Sequence, residues 1–208
     1  MKRIGFVLVC VLLMGGCAVG QKISYEQTVP LDVRGSGSLD IAVVDMRPYV
    51  VDGDKSADFV GLQRGGYGNP FDVKTDTGNP LAEDIAESLK ASLERSGFDV
   101  TILRTSPSRS VDSVRDRLFA SASDADILLQ LAELKSDTMN NAAYLYDVKL
   151  TVYRNRNEVA ASMAQGRDDL GGSFLNPVGH AREAVPMAWN RLMRSLLDDP
   201  EVVAALEQ

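Results

Sequence analysis

The chain has 208 residues, of which 45% are hydrophobic, with 22 lysines and arginines against 29 aspartates and glutamates. This length and composition are those of one folded domain of ordinary size, and they exclude a wholly disordered protein. The formal net charge of -7 argues against a nucleic-acid binder, which needs a basic surface, and two cysteines and one histidine are too few for a zinc site or a disulfide framework.

The first residues predict a secretory signal peptide over 1–16. Lys2 and Arg3 precede an apolar run over residues 4–14. This run is shorter than the roughly 20 residues that a membrane-spanning helix needs, so it is typical of a signal peptide. Small residues then lead directly into Cys17. The pattern resembles the lipobox of bacterial lipoproteins, in which the cysteine is acylated and becomes the first residue of the mature protein.

Acylation would account for both cysteines, because Cys10 lies in the discarded segment and Cys17 would carry lipid. Removal of the signal peptide takes away two basic residues and no acidic one, so the mature charge is 20 minus 29, or -9. In lipoprotein terms, Ala18 suggests sorting to the outer membrane. The alternative is a soluble periplasmic protein that is cleaved near Gly16.

The mature chain predicts a lipidated tether over 17–38, with one possible short strand over 24–33, and a single periplasmic domain over 39–208. The tether prediction rests on the glycine and serine composition of residues 35–38. The 21 residues of this tether that follow Cys17 would reach at most about 70 Å from the lipid.

The first half of the domain predicts a β-loop-α-β unit. Alternating apolar residues indicate a strand over 39–45, and residues 49–79 show little periodicity and read as a long irregular segment. A helix follows, with Asn79 as its N-cap, apolar residues at every fourth position and Gly97 as its C-cap. Residues 98–103 predict the next strand.

The second half predicts a central strand over 126–134 and an antiparallel hairpin, preceded by a weaker helix over 110–122. A long helix over 181–197 follows, with Pro186 in its first turns or at its true start, and a short helix ends the chain. The expected fold class is therefore α+β: a small mixed sheet with the early unit, the late hairpin, and the long helix packed on one face.

The order of these elements, with Cys17, the strand that ends near Asp45 and Arg47, and the helix before the Gly-Phe-Asp-Val sequence at 97–100, resembles the YajG-type lipoproteins of Gram-negative bacteria. That family has no established catalytic residues, so the resemblance implies no site. Residues 52–79 are longer than the corresponding stretch of typical members. A looser likeness is to accessory lipoproteins of envelope ABC transport systems and to small periplasmic domains of the TolB N-terminal kind.

The glycine-rich segment is the candidate binding loop, because glycines allow close backbone approach and an arginine and a tyrosine can contact an anion or a sugar ring. Its spacing matches neither a Walker A loop nor a dinucleotide fingerprint. The alternative is an irregular structural loop held by Leu62, Tyr67 and Phe71. The loop consists of Arg64, Gly65, Gly66, Tyr67, Gly68 and Asn69.

We expect structural roles for the other candidate residues. Asp45 and Arg47 have the spacing of an ion pair or a turn cap, His180 has no partner nearby in sequence, and Tyr144 and Tyr146 are typical of a hairpin core. The sequence predicts no catalytic residues, no metal ligands and no cofactor.

The predicted function is a non-catalytic binding or structural module that is anchored to the outer membrane through acylated Cys17 and faces the periplasm. Its expected partners are the membrane and an envelope protein or cell-wall component, with no nucleic acid. The alternative is an accessory or carrier lipoprotein for lipid or an ABC transport system, which requires an apolar pocket between the long helix and the hairpin. A third hypothesis, a cell-wall hydrolase, requires two carboxyl groups about 5 to 9 Å apart in a cleft.

Overall fold

A computed structural model describes residues 20–207, so the predicted signal peptide over 1–16 and Cys17 lie outside the described residues. Within this range the chain forms eight strands and five helices. The strands are β1 (Lys22–Ile23), β2 (Ser38–Asp45), β3 (Phe59–Arg64), β4 (Pro70–Thr75), β5 (Asp99–Ile102), β6 (Ala125–Thr138), β7 (Asn141–Arg154) and β8 (Asn157–Gly172). The helices are α1 (Pro48–Val51), α2 (Leu81–Arg95), α3 (Asp112–Leu118), α4 (Pro177–Leu197) and α5 (Pro200–Leu206).

One mixed sheet contains all eight strands, and the long strand β6 organises it. β7 and β8 follow β6 as antiparallel neighbours on one side. On the other side β6 has two parallel neighbours in succession, first β2 and then β3. β5 pairs with β2, whereas β4 and β1 extend the sheet beyond β3. The sheet therefore forks along one edge of β6, and the expected α+β class with a mixed sheet is confirmed.

The predicted β-loop-α-β unit corresponds to β2, α2 and β5, and the stripe of apolar residues on α2 is buried as expected. The predicted C-cap is off by one residue: Ser96 is the C-cap, and Gly97 follows it with the left-handed φ of +106°, where a side chain would collide with the backbone of Gly35. The predicted N-cap is wrong. Pro80 occupies that position, while the amide of Asn79 donates to Asp84 within the first turn.

The predicted tether over 17–38 is wrong for the part that the structure describes. β1 pairs with β4, and residues 24–37 then run between α2 and α4 as a segment that we call the strap. The backbone N–H of Val29 donates to Ser92 Oγ on α2 over 2.8 Å, and Asn190 on α4 donates to the side chain of Gln27. Each of the following is fully or almost fully buried: Ile23, Tyr25, Val29, Leu31 and Val33.

The segment over 49–79 is not irregular, and this prediction is also wrong. It contains the short helix α1 and the antiparallel hairpin of β3 and β4. Gly61 allows β3 to approach β6, because a Cβ at this position would lie 2.6 Å from the carbonyl oxygen of Ser136. The glycines of this segment therefore serve a close strand contact and a tight turn, which periodicity cannot distinguish from a loop.

The later elements are as predicted in type, but the central strand and the long helix are longer and the weak helix is shorter. The hairpin of β7 and β8 closes at Asn155 and Arg156, whose φ angles of 51° and 65° are those of a type I′ turn. Pro186 lies inside α4, which begins at Pro177, so its predicted place at the start of the helix is wrong. The predicted weak helix over 110–122 is confined to α3.

The main core includes the single tryptophan of the chain, Trp189 on α4, which packs edge-on against Tyr25 of the strap with 5.7 Å between ring centroids. Both rings are fully buried, and Tyr144 of β7 is buried in the same cluster. Burial raises the pKa of Tyr25 to about 12. The strap thus forms part of the main core, together with α2, α4 and β7.

We expect Tyr25→Ala to lower the free energy of unfolding by about 3–5 kcal/mol, because it removes a buried ring and leaves a cavity beside Trp189. Urea unfolding of the chain that begins at residue 18 measures this change. Thr28→Ala, at an exposed position of the same strap, is the control. Equal unfolding midpoints for the two variants would show that the strap is a tether after all.

Candidate functional site

Three chain connections meet at one end of the sheet, which we call the loop end: residues 65–69, 139–140 and 173–176. β3 and β6 both run toward this end, where Gln63 pairs with Thr138. β7 begins there opposite the last residue of β8. The backbone N–H of Ser173 donates to the carbonyl of Asn140, which joins the second connection to the third. Strand register therefore places the three connections side by side.

The predicted binding loop is the tight turn between β3 and β4, not a long loop beyond a parallel strand. The N–H of Gly65 donates to the carbonyl of Asn69, and Gly68 closes the turn with a φ of +83° and a hydrogen bond to the carbonyl of Gly65. Gly66 has open space around it. Tyr67 is 94% exposed and does not hold the turn down, which overturns that part of the structural alternative.

Arg64 fixes the base of this turn. Its guanidinium makes a two-pronged ion pair with Asp137 of β6, with Nε–Oδ1 and Nη2–Oδ2 distances of 2.8 and 2.7 Å. The hydrogen bonds and the charge of Asp137 raise the pKa of Arg64. Since this arginine already has a carboxylate partner, it is less available to an external anion than the sequence suggests.

The sequence analysis missed three further exposed apolar side chains at the loop end. Phe174 is 86% exposed, Leu175 is 93% exposed, and Met139 is 42% exposed. The loop that carries the first two is ordered by its own hydrogen bonds, because Asn176 donates to Ser173 Oγ and caps α4 through the N–H of Gly179. The sequence feature that could have indicated them is a pair of consecutive apolar residues shortly after two glycines.

An open cleft of about 380 Å³ lies beside Met139 of the second connection and is otherwise lined by residues of β3, β6, β7 and β8. Its charged groups are balanced, with two arginines and two aspartates. Asp169 is held by the N–H of Gly171 and by the amide of Asn141. The lining residues are Arg64, Asp137, Met139, Asn141, Ala143, Arg167 and Asp169.

Asp45 and Arg47 form the ion pair that their spacing predicts, and it is buried. The Nε–Oδ1 distance is 2.8 Å and the Nη2–Oδ2 distance is 2.7 Å. The remaining guanidinium protons reach main-chain carbonyls of Phe59 and Leu134. Burial alone would lower the pKa of Arg47, but the hydrogen bonds and charge of Asp45 raise it. All of these contacts are within the fold, so the pair is structural.

The hydrolase hypothesis asks for a carboxyl group with a raised pKa that faces a second one. Burial raises the pKa of Asp84 to about 6, with a smaller contribution from the charges of Glu26 and Asp76. The carboxylate of Asp84 accepts hydrogen bonds from the hydroxyl of Thr77 and the amide of Asn79. This carboxyl group orders the turn before α2 and is not directed into a cleft.

The remaining candidates are also engaged within the fold. His180 contacts the carbonyl of Leu170 at 2.9 Å through Nε2. Tyr144 is buried in the core, and its ring lies 6.0 Å from that of Tyr146. Between residues 20 and 207, no cluster of three or more histidine, cysteine or acidic side chains is arranged to hold a metal ion. In the same range, no helix combines the length and apolar character needed to cross a membrane.

Comparison with known proteins finds a similar fold among solved structures. No family model and no curated protein matches the chain. Among solved structures, the chain is similar to protein XCC0632 of Xanthomonas campestris, assigned to the family DUF330, with 11% identity over 89% of this chain and 96% of that one and a TM-score of 0.51.

Two further solved structures match less closely. Hypothetical protein CT253 of Chlamydia trachomatis is 12% identical over 83% of this chain and 98% of that one, with a TM-score of 0.46. Lipoprotein GNA1162 of Neisseria meningitidis is 13% identical over 75% and 97%, with a TM-score of 0.37. At these identities the likeness to XCC0632 extends to the fold alone, and the other two carry no argument. The resemblance to YajG-type lipoproteins stays a prediction.

We expect Arg47→Met and Asp45→Asn each to lower the free energy of unfolding by about 3–5 kcal/mol, because each leaves a buried charge without its partner. The double variant should lose less than the sum of the two, since it leaves no unpaired charge. Denaturant unfolding of the four proteins measures the coupling. Arg115→Met, which breaks an exposed pair with Asp112, is the control and should change stability by less than about 1 kcal/mol.

Proposed function

We propose that the protein is a lipid-anchored envelope protein that acts as a non-catalytic binding module, with the loop end as its binding surface. The observation that carries this proposal is the convergence of three connections that expose Tyr67, Met139, Phe174 and Leu175 at one end of the sheet. Four exposed apolar side chains on three neighbouring connections exceed the single, scattered apolar residues that an ordinary surface carries.

The anchor is the second part of the proposal. The lipobox-like sequence before Cys17 indicates acylation, and the acyl chains would hold the protein on a membrane, because each buried methylene contributes about 0.8 kcal/mol. In lipoprotein terms, Ala18 favours sorting to the outer membrane, and we expect the domain to face the periplasm. An envelope component is therefore the partner class within reach.

The proposal that the module is non-catalytic is supported by the contacts of its polar groups. Three groups with the chemistry for acid-base steps have partners within the fold: Asp45 pairs with Arg47, Asp84 accepts from Thr77, and His180 contacts the carbonyl of Leu170. Each of these contacts explains the residue without a substrate.

The carrier alternative is less well supported. It requires an apolar pocket between the long helix and the hairpin, where the structure has an open cleft of about 220 Å³. Charged and polar side chains, including Asp168, Arg191 and Ser195, form part of its lining. A lipid chain would meet these groups at the mouth of the cleft, at a cost in desolvation.

We expect Cys17→Ser to abolish lipid labelling and to leave the protein either unprocessed or free of the membrane fraction. Metabolic labelling with a radioactive fatty acid, followed by fractionation of the envelope, measures both. A Cys10→Ser variant should be labelled normally, because that residue lies in the predicted signal peptide. Lipid labelling that survives Cys17→Ser would contradict the proposed anchor.

A photo-crosslinking amino acid at position 67 tests the binding surface in cells. We expect a specific crosslinked product from Tyr67 and little or none from Met163, which is also apolar and is 72% exposed but lies in the middle of β8. Mass spectrometry of the purified product identifies a protein, cell-wall fragment or lipid. Equal yields at the two positions would refute the loop end as the binding surface.

A further inference from the structure

We propose that the partner at the loop end is the phospholipid surface itself, so that the domain rests with this end on the leaflet that holds its acyl chains. This inference rests on the proposed function, because it assumes that Cys17 is acylated. It differs from that function in naming the partner as a lipid headgroup and upper-acyl region rather than a protein.

The first described residues precede β1, at the end of that strand which is nearer the loop end. β4 leaves the loop end at Pro70, which pairs with Arg64, and β1 runs parallel to β4 with Lys22 opposite Lys74. Residues before β1 therefore lead back toward the loop end. Gln21 lines the same small cavity as Thr138, the last residue of β6 before the loop end.

The distance from this entry point to the lipid is short. Gly20 is three positions after Cys17, and a stretch of that length reaches about 10 Å at most when extended. A tether over 17–38 would have allowed the domain to lie far from the membrane in any orientation. Because the strap is packed into the core, an acyl group on Cys17 would be attached within about 10 Å of Gly20.

The side chains at the loop end have the chemistry of the membrane interface. Tyrosine combines an apolar ring with a polar hydroxyl, which suits the headgroup level, while phenylalanine and leucine enter the upper acyl region. Tyr67 stands on one connection and Phe174 and Leu175 on another, and the hydrogen bonds of Ser173 and Asn176 hold the second loop in shape. The apolar groups are thus presented on ordered turns.

The charge of the loop end also fits a phospholipid surface. The mature chain carries -9 overall, and an anionic leaflet would repel most faces of such a protein. The cleft beside Met139 is neutral, since Arg64 and Arg167 balance Asp137 and Asp169. Contact at this end therefore brings no excess negative charge against the lipid.

Spin labels on the lipidated mature protein test this inference in vesicles of phosphatidylethanolamine and phosphatidylglycerol. Tyr67→Cys and Phe174→Cys report on two separate connections, and Met163→Cys is the control on β8. All three positions are highly exposed, so the label should not disturb packing. Because Cys17 would be acylated and Cys10 removed, the label reacts with the introduced cysteine alone.

We expect labels at 67 and 174 to be more accessible to oxygen than to a water-soluble nickel complex, and the label at 163 to show the reverse. If the protein floats with the vesicles while all three labels stay in water, the inference is wrong and the lipid anchor stands. If the unmodified protein does not float, the anchor fails and the inference fails with it. A label at 67 that enters lipid equally with the label at 163 would also overturn the proposed orientation.

Discussion

A buried guanidinium at the fork of the sheet is the contact on which the arrangement of strands depends. β2 leaves β6 after Leu131, whose carbonyl accepts the N–H of Met46, and β3 begins to pair with β6 only at Ser136. Between these points the edge of β6 has no strand beside it. Arg47 fills this gap, because it donates to the carbonyl of Leu134 on β6 and to that of Phe59 on β3. Unpaired buried carbonyls would otherwise be costly.

The fork determines where the loop end lies. β3 can run parallel to β6 as far as Gln63 only because β2 has turned away, and Asp45 at the end of β2 neutralises the arginine that makes this possible. α1 closes the outside of the gap, where the hydroxyl of Tyr49 hydrogen-bonds to the carboxylate of Glu133. The turn that carries Tyr67 is therefore positioned by a contact at the far end of its own strand.

Local patterns were sufficient to predict much of this fold. The apolar residue at every fourth position identified α2, because that helix has one buried face. Alternating apolar residues identified β2 and β7, although β2 is buried on both faces. The strap and the β3–β4 hairpin were misinterpreted for a common reason. Their glycines and polar residues satisfy long-range contacts, such as Gly61 against Ser136 and Val29 against Ser92, that no window of sequence contains.

The candidate site, like the fold, could be predicted only in part from local sequence. Tyr67 was predicted as a binding residue from its glycine-rich surroundings, and the structure does place it at an exposed turn. Phe174 and Leu175 were missed because a pair of apolar residues after two glycines resembles the edge of any buried element. Only the pairing of β6, β7 and β8 shows that their loop lies beside the other two connections.

The packing of the strap would restrict how the domain is oriented on the proposed lipid anchor. It starts at β1 and ends at β2, and β2 begins beside the first residue of β6, at the opposite end of the sheet from the loop end. Along this path its backbone is hydrogen-bonded to Ser92 on α2 and to Asp198, which follows α4. A domain held by a flexible tether samples every orientation toward its membrane. If Cys17 is acylated as we propose, the described chain begins three residues after the lipid, and the packed strap rather than a flexible linker would set which surface meets the leaflet.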